Sequence, residues 1–424
     1  MTFRFVHTAD LHLDSPLRSL ALRDPELAAL ISGATRQALA TIVDLCLAER
    51  VDALVIAGDL YDGEETSMKT ARFLAGEMDR LHAANVRVFI VRGNHDSMSK
   101  VAPELTLPPN VKIFGERAET AQFVAGGLDV AVHGLSFRTP KAPRSLLPDY
   151  TRPIAGAVNI GVMHTSLGGA PGHDVYAPCP AAELHAWGFD YWSLGHIHAR
   201  STPPGARCVV MPGMPQGRDI NESGPKTATL VSIDDSRRLT LGERPTSLAE
   251  FARVGVDLSG VEDGDEAIAA IGRALEAARE GAVSAHLVAR LKLSGATPLA
   301  WRLRRDPERL LAEAQQSGRR IGRVWIDKLE CDVVAPTASA AAATPVDELR
   351  ALIRDEIARS PGLREQARAL VEKVRNEMPP DARDFTGANA GEFEAFLDAL
   401  IVASGEDALA RLAGGPPRPE DGRD

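Results

Sequence analysis

Seven side chains of metal-binding type fall in five short blocks of the 424-residue chain. Asp10 and His12 lie in T-A-D-L-H-L, Asp59 in A-G-D-L-Y-D-G, Asn94 in R-G-N-H-D-S, His164 in G-V-M-H-T-S, and His196 with His198 in L-G-H-I-H-A. This assortment suits a pair of divalent ions. Two ions about 3.5–4 Å apart need a carboxylate to bridge them, imidazoles and a carbonyl oxygen to complete each coordination sphere, and open positions for water and a phosphate. We read Asp59 as the bridge, with Asp10, His12 and His198 completing one ion and Asn94, His164 and His196 the other. Mixed nitrogen and oxygen ligation without thiolate points to Mn²⁺ first, then Fe²⁺ or Zn²⁺, rather than Ca²⁺ or a Cys-held structural zinc. A water between such ions loses its proton near neutral pH and attacks a phosphorus that both metals polarise. Phosphate-ester hydrolysis is the reaction these residue types predict.

His95 stands between Asn94 and Asp96. A side chain next to a ligand can face the substrate, where an imidazolium stabilises a pentacoordinate phosphate and protonates the leaving oxygen. His95 is expected to be catalytic and not a ligand, with Asp96 holding its ring in one orientation and Asp62 as a second supporting carboxylate. Any single D-x-H or H-x-H is weak, and G-D-x-x-D or G-N-H-D alone reads equally well as a turn. Five blocks in this order, each after an apolar run, point to one pocket.

Those runs must be strands whose ends converge. Residues 3–8, 53–57 and 86–91 read as strands, separated by helical spacing over 33–50 and over 68–84, the latter with Ser67 as N-cap. This rhythm predicts βαβ units and a partly parallel sheet, and ligands at carboxyl ends of strands fit the place where open α/β sheets bind them. After 111–114 come short strands at 122–125, 130–133, 157–163, 191–194, 208–211 and 228–233, punctuated by Gly and Pro. They predict a second, more antiparallel sheet. Gly58, Gly93, Gly161 and Gly195 flank the ligand positions and are expected to supply positive φ or close backbone approach.

With 44% hydrophobic and 25% charged residues the chain has ordinary soluble-protein composition, long enough for two or three domains. No run approaches the ~18 apolar residues of a membrane span, and residues 1–13 contain no signal-peptide core; a cytoplasmic protein without membrane contact is expected. Cys46, Cys179, Cys208 and Cys331 lack any C-x-x-C spacing and are read as reduced and structural. A net charge of −10 argues against a surface coated in basic groups for nucleic acid, although bound cations add local positive potential. Local basic candidates for nucleic-acid contact are Arg138, Lys141 and Arg144, with Arg152, in a Pro-rich loop, and Arg302, Arg304, Arg305, Arg319, Arg320 and Arg323 further on. Solvated surface is the plain alternative for both clusters.

The first domain is read as residues 1–246. Residues 247–334 follow a strand, helix, strand, helix, strand pattern and are taken as a small α/β domain with no catalytic cluster. Residues 335–344 form a low-complexity linker, 345–414 a helical region with apolar stripes suited to a partner or to the chain itself, and 415–424 a disordered tail.

The blocks D-x-H, G-D-x-x-D, G-N-H-D, a lone histidine after an apolar strand, and G-H-x-H resemble those of the calcineurin-like metallophosphoesterases. The opening F-V-H-T-A-D-L-H-L-D and the stretch I-A-G-D-L-Y-D-G look closer still to SbcD-type DNA repair nucleases of the YhaO-like branch. The resemblance is dense over residues 1–245. It implies an α/β fold of two sheets sandwiched by helices with a dinuclear site at one edge, and gives Asp10, His12, Asp59, Asn94, His164, His196 and His198 as ligands, with His95 facing the phosphate. It further implies a DNA exonuclease or endonuclease in repair, a capping role for 247–334 over the site and against DNA, an SbcC-like coiled-coil ATPase partner, and a homodimer. Two other readings stay open: a cytosolic phosphodiesterase for small phosphodiesters or cyclic nucleotides, in keeping with the acidic charge, and a non-catalytic scaffold of a repair complex.

Overall fold

The computed structural model describes residues 2–15, 24–62, 67–96, 107–168, 176–336, 345–378, 385–387 and 389–413. The chain divides into two units: Met1–Arg253 with Ala278–Ala289 and Arg323–Asp327, and Val254–Ala277 with Arg290–Gly322 and Lys328–Asp424.

Eleven strands build the first unit up to residue 245: β1 (Thr2–Thr8), β2 (Ala53–Ala57), β3 (Arg87–Val91), β4 (Val111–Ile113), β5 (Glu119–Ala125), β6 (Leu128–Gly134), β7 (Val158–His164), β8 (Tyr191–Gly195), β9 (Cys208–Val210), β10 (Thr227–Asp234) and β11 (Leu239–Pro245). The first sheet has the order β11-β10-β1-β2-β3-β4 and the second β5-β6-β7-β8-β9. Strands β1 to β4 pair in parallel, with β10 and β11 antiparallel beside β1. Side chains alternate between two cores, as the period of a strand requires. Phe3, Phe5, Ala53, Val55, Ala57 and Phe89 meet Val130, Val132, Ile160, Val162 and Tyr191 between the sheets. Val6, Leu54, Ile56, Val88 and Ile90 face the other way, onto the helices Pro25–Glu49 and Met68–Ala83. Outside the second sheet, Met163, Trp192, Leu194 and Val209 pack with Leu184 of the helix Ala181–Trp187. The result is an α/β sandwich of two sheets flanked by helices.

The second sheet departs from expectation. Only β5 and β6 are antiparallel; β6, β7, β8 and β9 run parallel. Residues 228–233, read as part of it, belong instead to the first sheet beside β1. The first helix begins at Pro25, not residue 33: Asp24 caps it by accepting from the amides of Glu26 and Leu27, and Pro25 sits where its missing amide costs nothing. This helix is also long and apolar enough to cross a membrane, contrary to the reading that no run is. Its Leu39, Ile42, Val43 and Cys46 are buried in the core instead.

A three-stranded sheet has the order β12 (Ala249–Asp257), β13 (His286–Ala296) and β14 (Val324–Val334). The second unit carries the helices Gly264–Gly281, Ala300–Arg305 and Pro307–Ile321, then Pro345–Leu352, a π-helical turn Ile353–Ile357, Pro361–Glu377 and Ala390–Ala413. Phe393 and Leu397 are buried against Val371, so the chain itself covers part of that apolar stripe, while Leu400 stays exposed. Most of the expected linker and all of the expected tail, residues 337–344 and 415–424, lie outside the described residues.

Candidate metal centre

All five blocks leave the carboxyl ends of parallel strands: Asp10 and His12 follow β1, Asp59 follows β2, Asn94 and His95 follow β3, His164 ends β7, and His196 and His198 follow β8. The two sheets are stitched at this rim. Both carboxylate oxygens of Asp10 accept the His196 amide at 3.0 Å, and His164 Nδ1 donates to the Ala57 carbonyl at 2.9 Å. Glycine permits the approach at two points. A Cβ on Gly58, which has φ +95°, would strike His164 Nδ1, and one on Gly195 would strike the Ala57 carbonyl oxygen. Asp10, His12, Asp59 and His196 have positive φ themselves, at 52°, 41°, 52° and 104°. Non-glycine residues seldom adopt such angles, and they concentrate at functional sites.

Among the described residues the donors form three groups, one of them His12 with Asp62 and His95, and the other two match the expected ligands. Asp10, His12 and His198 each offer a ligand atom within 4.8 Å of the others, as do Asp59, His164 and His196. Asp59 faces both: its Oδ2 is 3.4 Å from His164 Nε2 and 3.9 Å from His12 Nε2. Asn94 Oδ1 lies 3.0 Å from His164 Nε2.

Proton placement tests whether a cation fits. The Ala57 carbonyl can only accept, so His164 Nδ1 carries a hydrogen and neutral Nε2 presents a lone pair to two oxygens, Asn94 Oδ1 and Asp59 Oδ2. On the other side His198 Nδ1 is 2.8 Å from Glu222 Oε1 and His12 Nδ1 is 3.4 Å from Asp62 Oδ1. Their Nε2 atoms consequently point at each other, 3.2 Å apart. Two ring nitrogens this close need a hydrogen or a metal cation between them. A proton answers the same demand. Burial opposes it, but the Asp59 charge lifts His164 to about 9.

His95 is held differently from the reading that paired it with Asp96. Its Nδ1 is 3.1 Å from Asp62 Oδ1, and that bond raises the pKa of the ring. Asp96 turns inward and accepts the amides of Tyr61 and Gly93 at 3.1 Å each. Burial and the nearby Asp59 push Asp96 up to about 6. Sequence adjacency misled here, because Asp96 is spent on backbone amides, one in its own loop and one, Tyr61, in the segment after β2. The His95 amide donates to Asp59 Oδ1 at 3.0 Å and its side chain is 36% exposed, so the ring lies against the cluster with an open face.

Glu222 and Arg218 escaped the sequence reading. Arg218 Nη2 donates to Glu222 Oε1 at 2.9 Å and Nε to Oε2 at 3.3 Å, while Nη1 reaches Ser15 Oγ at 3.2 Å. The usable signal was chemical: a ligand histidine needs an acceptor for its other ring nitrogen, so an acid downstream of G-H-I-H was to be sought. Of the basic candidates, Arg138 and Arg144 have side chains 83% and 84% exposed, at 3.5 and 4.0 Å from Glu116 and Asp149. Lys141 is also exposed. Arg138 follows Phe137, whose ring meets His164 edge-on at 5.5 Å.

Residues 3–200 match the calcineurin-like phosphoesterase family, and residues 251–334 match the middle domain of metallophosphoesterase YhaO. The uncharacterized metallophosphoesterase YhaO of Bacillus subtilis is 33% identical over 232 residues, 54% of this chain and 57% of that protein. The SbcD component of nuclease SbcCD from Rhodobacter capsulatus is 34% identical over 139 residues, 32% of this chain and 31% of that one. The DNA double-strand break repair protein Mre11 of Methanopyrus kandleri is 24% identical over 269 residues, 60% and 55% of the two chains. The matches thus span less than two thirds of these curated relatives. Residues 3–200 are a calcineurin-like phosphoesterase domain, and YhaO, SbcD and Mre11 proteins are among the chain's relatives.

Proposed function

We propose that the chain is a metal-dependent phosphodiesterase that cleaves DNA. The observation that carries the reading is the Asp59 carboxylate, whose Oδ2 faces imidazoles of both donor groups. Asp10, His12 and His198 would hold one divalent ion, Mn²⁺ by preference, and Asn94, His164 and His196 the other, with Asp59 shared. Such a pair polarises a phosphate and supplies an activated water. His95, kept on Asp62 with its charge favoured, donates the proton that the leaving oxygen needs. Asp62 accepts from Nδ1 and leaves Nε2 for that task. The acid group Asp96 stays out of the chemistry, holding the loop that carries Asn94 and His95.

DNA as substrate is supported by the nuclease and DNA repair names of two relatives. An SbcC-like ATPase bound by the C-terminal helices, in the cytoplasm, is part of the same proposal. The test is a panel of linear duplex, single strands, plasmid and a chromogenic small diester, with metals added one at a time. Degradation of DNA with Mn²⁺, and a His95→Ala variant that binds Mn²⁺ normally yet loses about 10²–10⁴-fold in turnover, are expected. Hydrolysis of the small diester alone would replace the DNA reading with one in keeping with the net charge of −10.

A further inference from the structure

We propose that Arg218 is a positioning residue, a strut that sets His95 and His198 against each other through two carboxylates; this rests on the phosphodiesterase reading above. Its guanidinium is 19% exposed and grips Glu222 with two nitrogens, Nη2 on Oε1 at 2.9 Å and Nε on Oε2 at 3.3 Å. Glu222 Oε1 in turn meets His198 Nδ1 at 2.8 Å. On its other side Nη1 donates to Ser15 Oγ at 3.2 Å, and Ser15 Oγ donates to Asp62 Oδ2 at 2.6 Å. Nη1 is also 3.9 Å from Asp62 Oδ2. Asp62 Oδ1 then meets His95 Nδ1 at 3.1 Å and His12 Nδ1 at 3.4 Å. One planar cation therefore ties together segments that follow β1, β2 and β9, and each end of the tie fixes the Nδ1 of an imidazole.

The donor and acceptor count is consistent. The Ser15 hydroxyl hydrogen goes to Asp62 and its lone pair receives Nη1, while Glu222 receives the fork. Without the Arg218 guanidinium, Glu222 loses the fork and keeps the main-chain amide of residue 218 at 2.8 Å, while Asp62 keeps Ser15 and loses the cation 3.9 Å away, so both carboxylates are held less firmly. His95 is then less well kept in the orientation that serves the transition state, and His198 less well met by the acceptor that fixes its tautomer and raises its basicity toward a metal. Lysine supplies the charge but not the fork, so it cannot span both carboxylates.

Arg218→Ala and Arg218→Lys in the full chain, alone and with His95→Ala, test this. Turnover and KM are read on the substrate of the unmodified protein, Mn²⁺ affinity by calorimetry or electron paramagnetic resonance, and recovery on adding guanidinium ion. Both variants should lose about 10–100-fold in kcat with KM changed less than about threefold, and the affinity for one of two Mn²⁺ ions should fall about 10-fold or more. Guanidinium should restore Arg218→Ala several-fold and leave Arg218→Lys unchanged. In the His95→Ala background at saturating Mn²⁺, Arg218→Ala should cost less than about threefold. Unchanged kcat and Mn²⁺ affinity, full additivity with His95→Ala, or losses that follow a lowered melting temperature and ignore guanidinium would each overturn the role. Should the unmodified protein hydrolyse no phosphodiester, the functional reading falls by itself, and Mn²⁺ affinity with guanidinium recovery still decides the His198 half.

Discussion

His164 rests its Nδ1 on a main-chain carbonyl, Ala57 O, whereas His198 rests its Nδ1 on the carboxylate of Glu222 and His12 Nδ1 lies 3.4 Å from that of Asp62. The His164 side is fully buried and fixed by glycines that admit no side chain. In the other half Asp10 and His12 are buried as well, but the His198 side chain is 22% exposed and its partner Glu222 is held by Arg218. A carbonyl anchors a ring without adding charge, while a carboxylate also raises the basicity of the ligand. The contrast teaches that one half of the site is built into the sheet and the other half is adjustable through side chains. Two ions of unequal affinity are the expected consequence, visible as two steps in a Mn²⁺ titration.

The largest effect should come from the group common to both halves. Asp59→Asn removes the shared charge, and activity should fall by about 10³-fold or more with both Mn²⁺ steps weakened; loss of a single step would show that Asp59 serves one half alone. Gly195→Ala attacks the built-in half. Overpacking against Ala57 should lower unfolding free energy by about 1–3 kcal/mol in a denaturant titration of metal-free protein. Glu222→Gln probes the adjustable half and should weaken only one Mn²⁺ step, by about 10–100-fold, without the stability loss of Gly195→Ala. An effect of similar size, seen only in acid, concerns the floor beneath the rigid half. His7 is fully buried between Tyr191 Oη at 2.9 Å and Leu194 O at 3.0 Å, and burial drives its pKa from 6.5 down to about 3. The folded state thus stays neutral while the unfolded chain takes up a proton below about 6.5, so stability holds above that pH and falls below it. About 1.4 kcal/mol should disappear per pH unit between 6 and 4, and the corresponding slope should be absent in His7→Gln.

The ligand blocks were legible because each is a short local motif at a strand end, where periodicity and turn residues announce the position. Partners of those ligands were legible only in part: Asp62 was expected as a supporting carboxylate, Glu222 and Arg218 were not. Asp96 adjoins His95 in sequence but spends its oxygens on Tyr61 and Gly93, and Asp62, three residues past Asp59, serves His95 instead. Glu222 comes from a short 3₁₀ turn, Ile220–Glu222, with no repeat to mark it. Strand direction in the second sheet was misread although connection length carried the answer. Residues 135–157 between β6 and β7, and 165–190 between β7 and β8, are far longer than a hairpin loop and suit parallel crossovers. The start of the first helix was likewise written in Asp24-Pro25, a cap followed by the residue best tolerated at the first helical position.

The left-handed backbone at Asp10, His12 and Asp59 bears on any attempt to evolve this chain toward heat resistance. Glycine would relieve the local strain at each, but at Asp10 and Asp59 it would also remove the carboxylates that accept the His196 and His95 amides. His12 is therefore where a screen that scores only melting temperature should first trade an imidazole of the rim for a hardier, inert descendant.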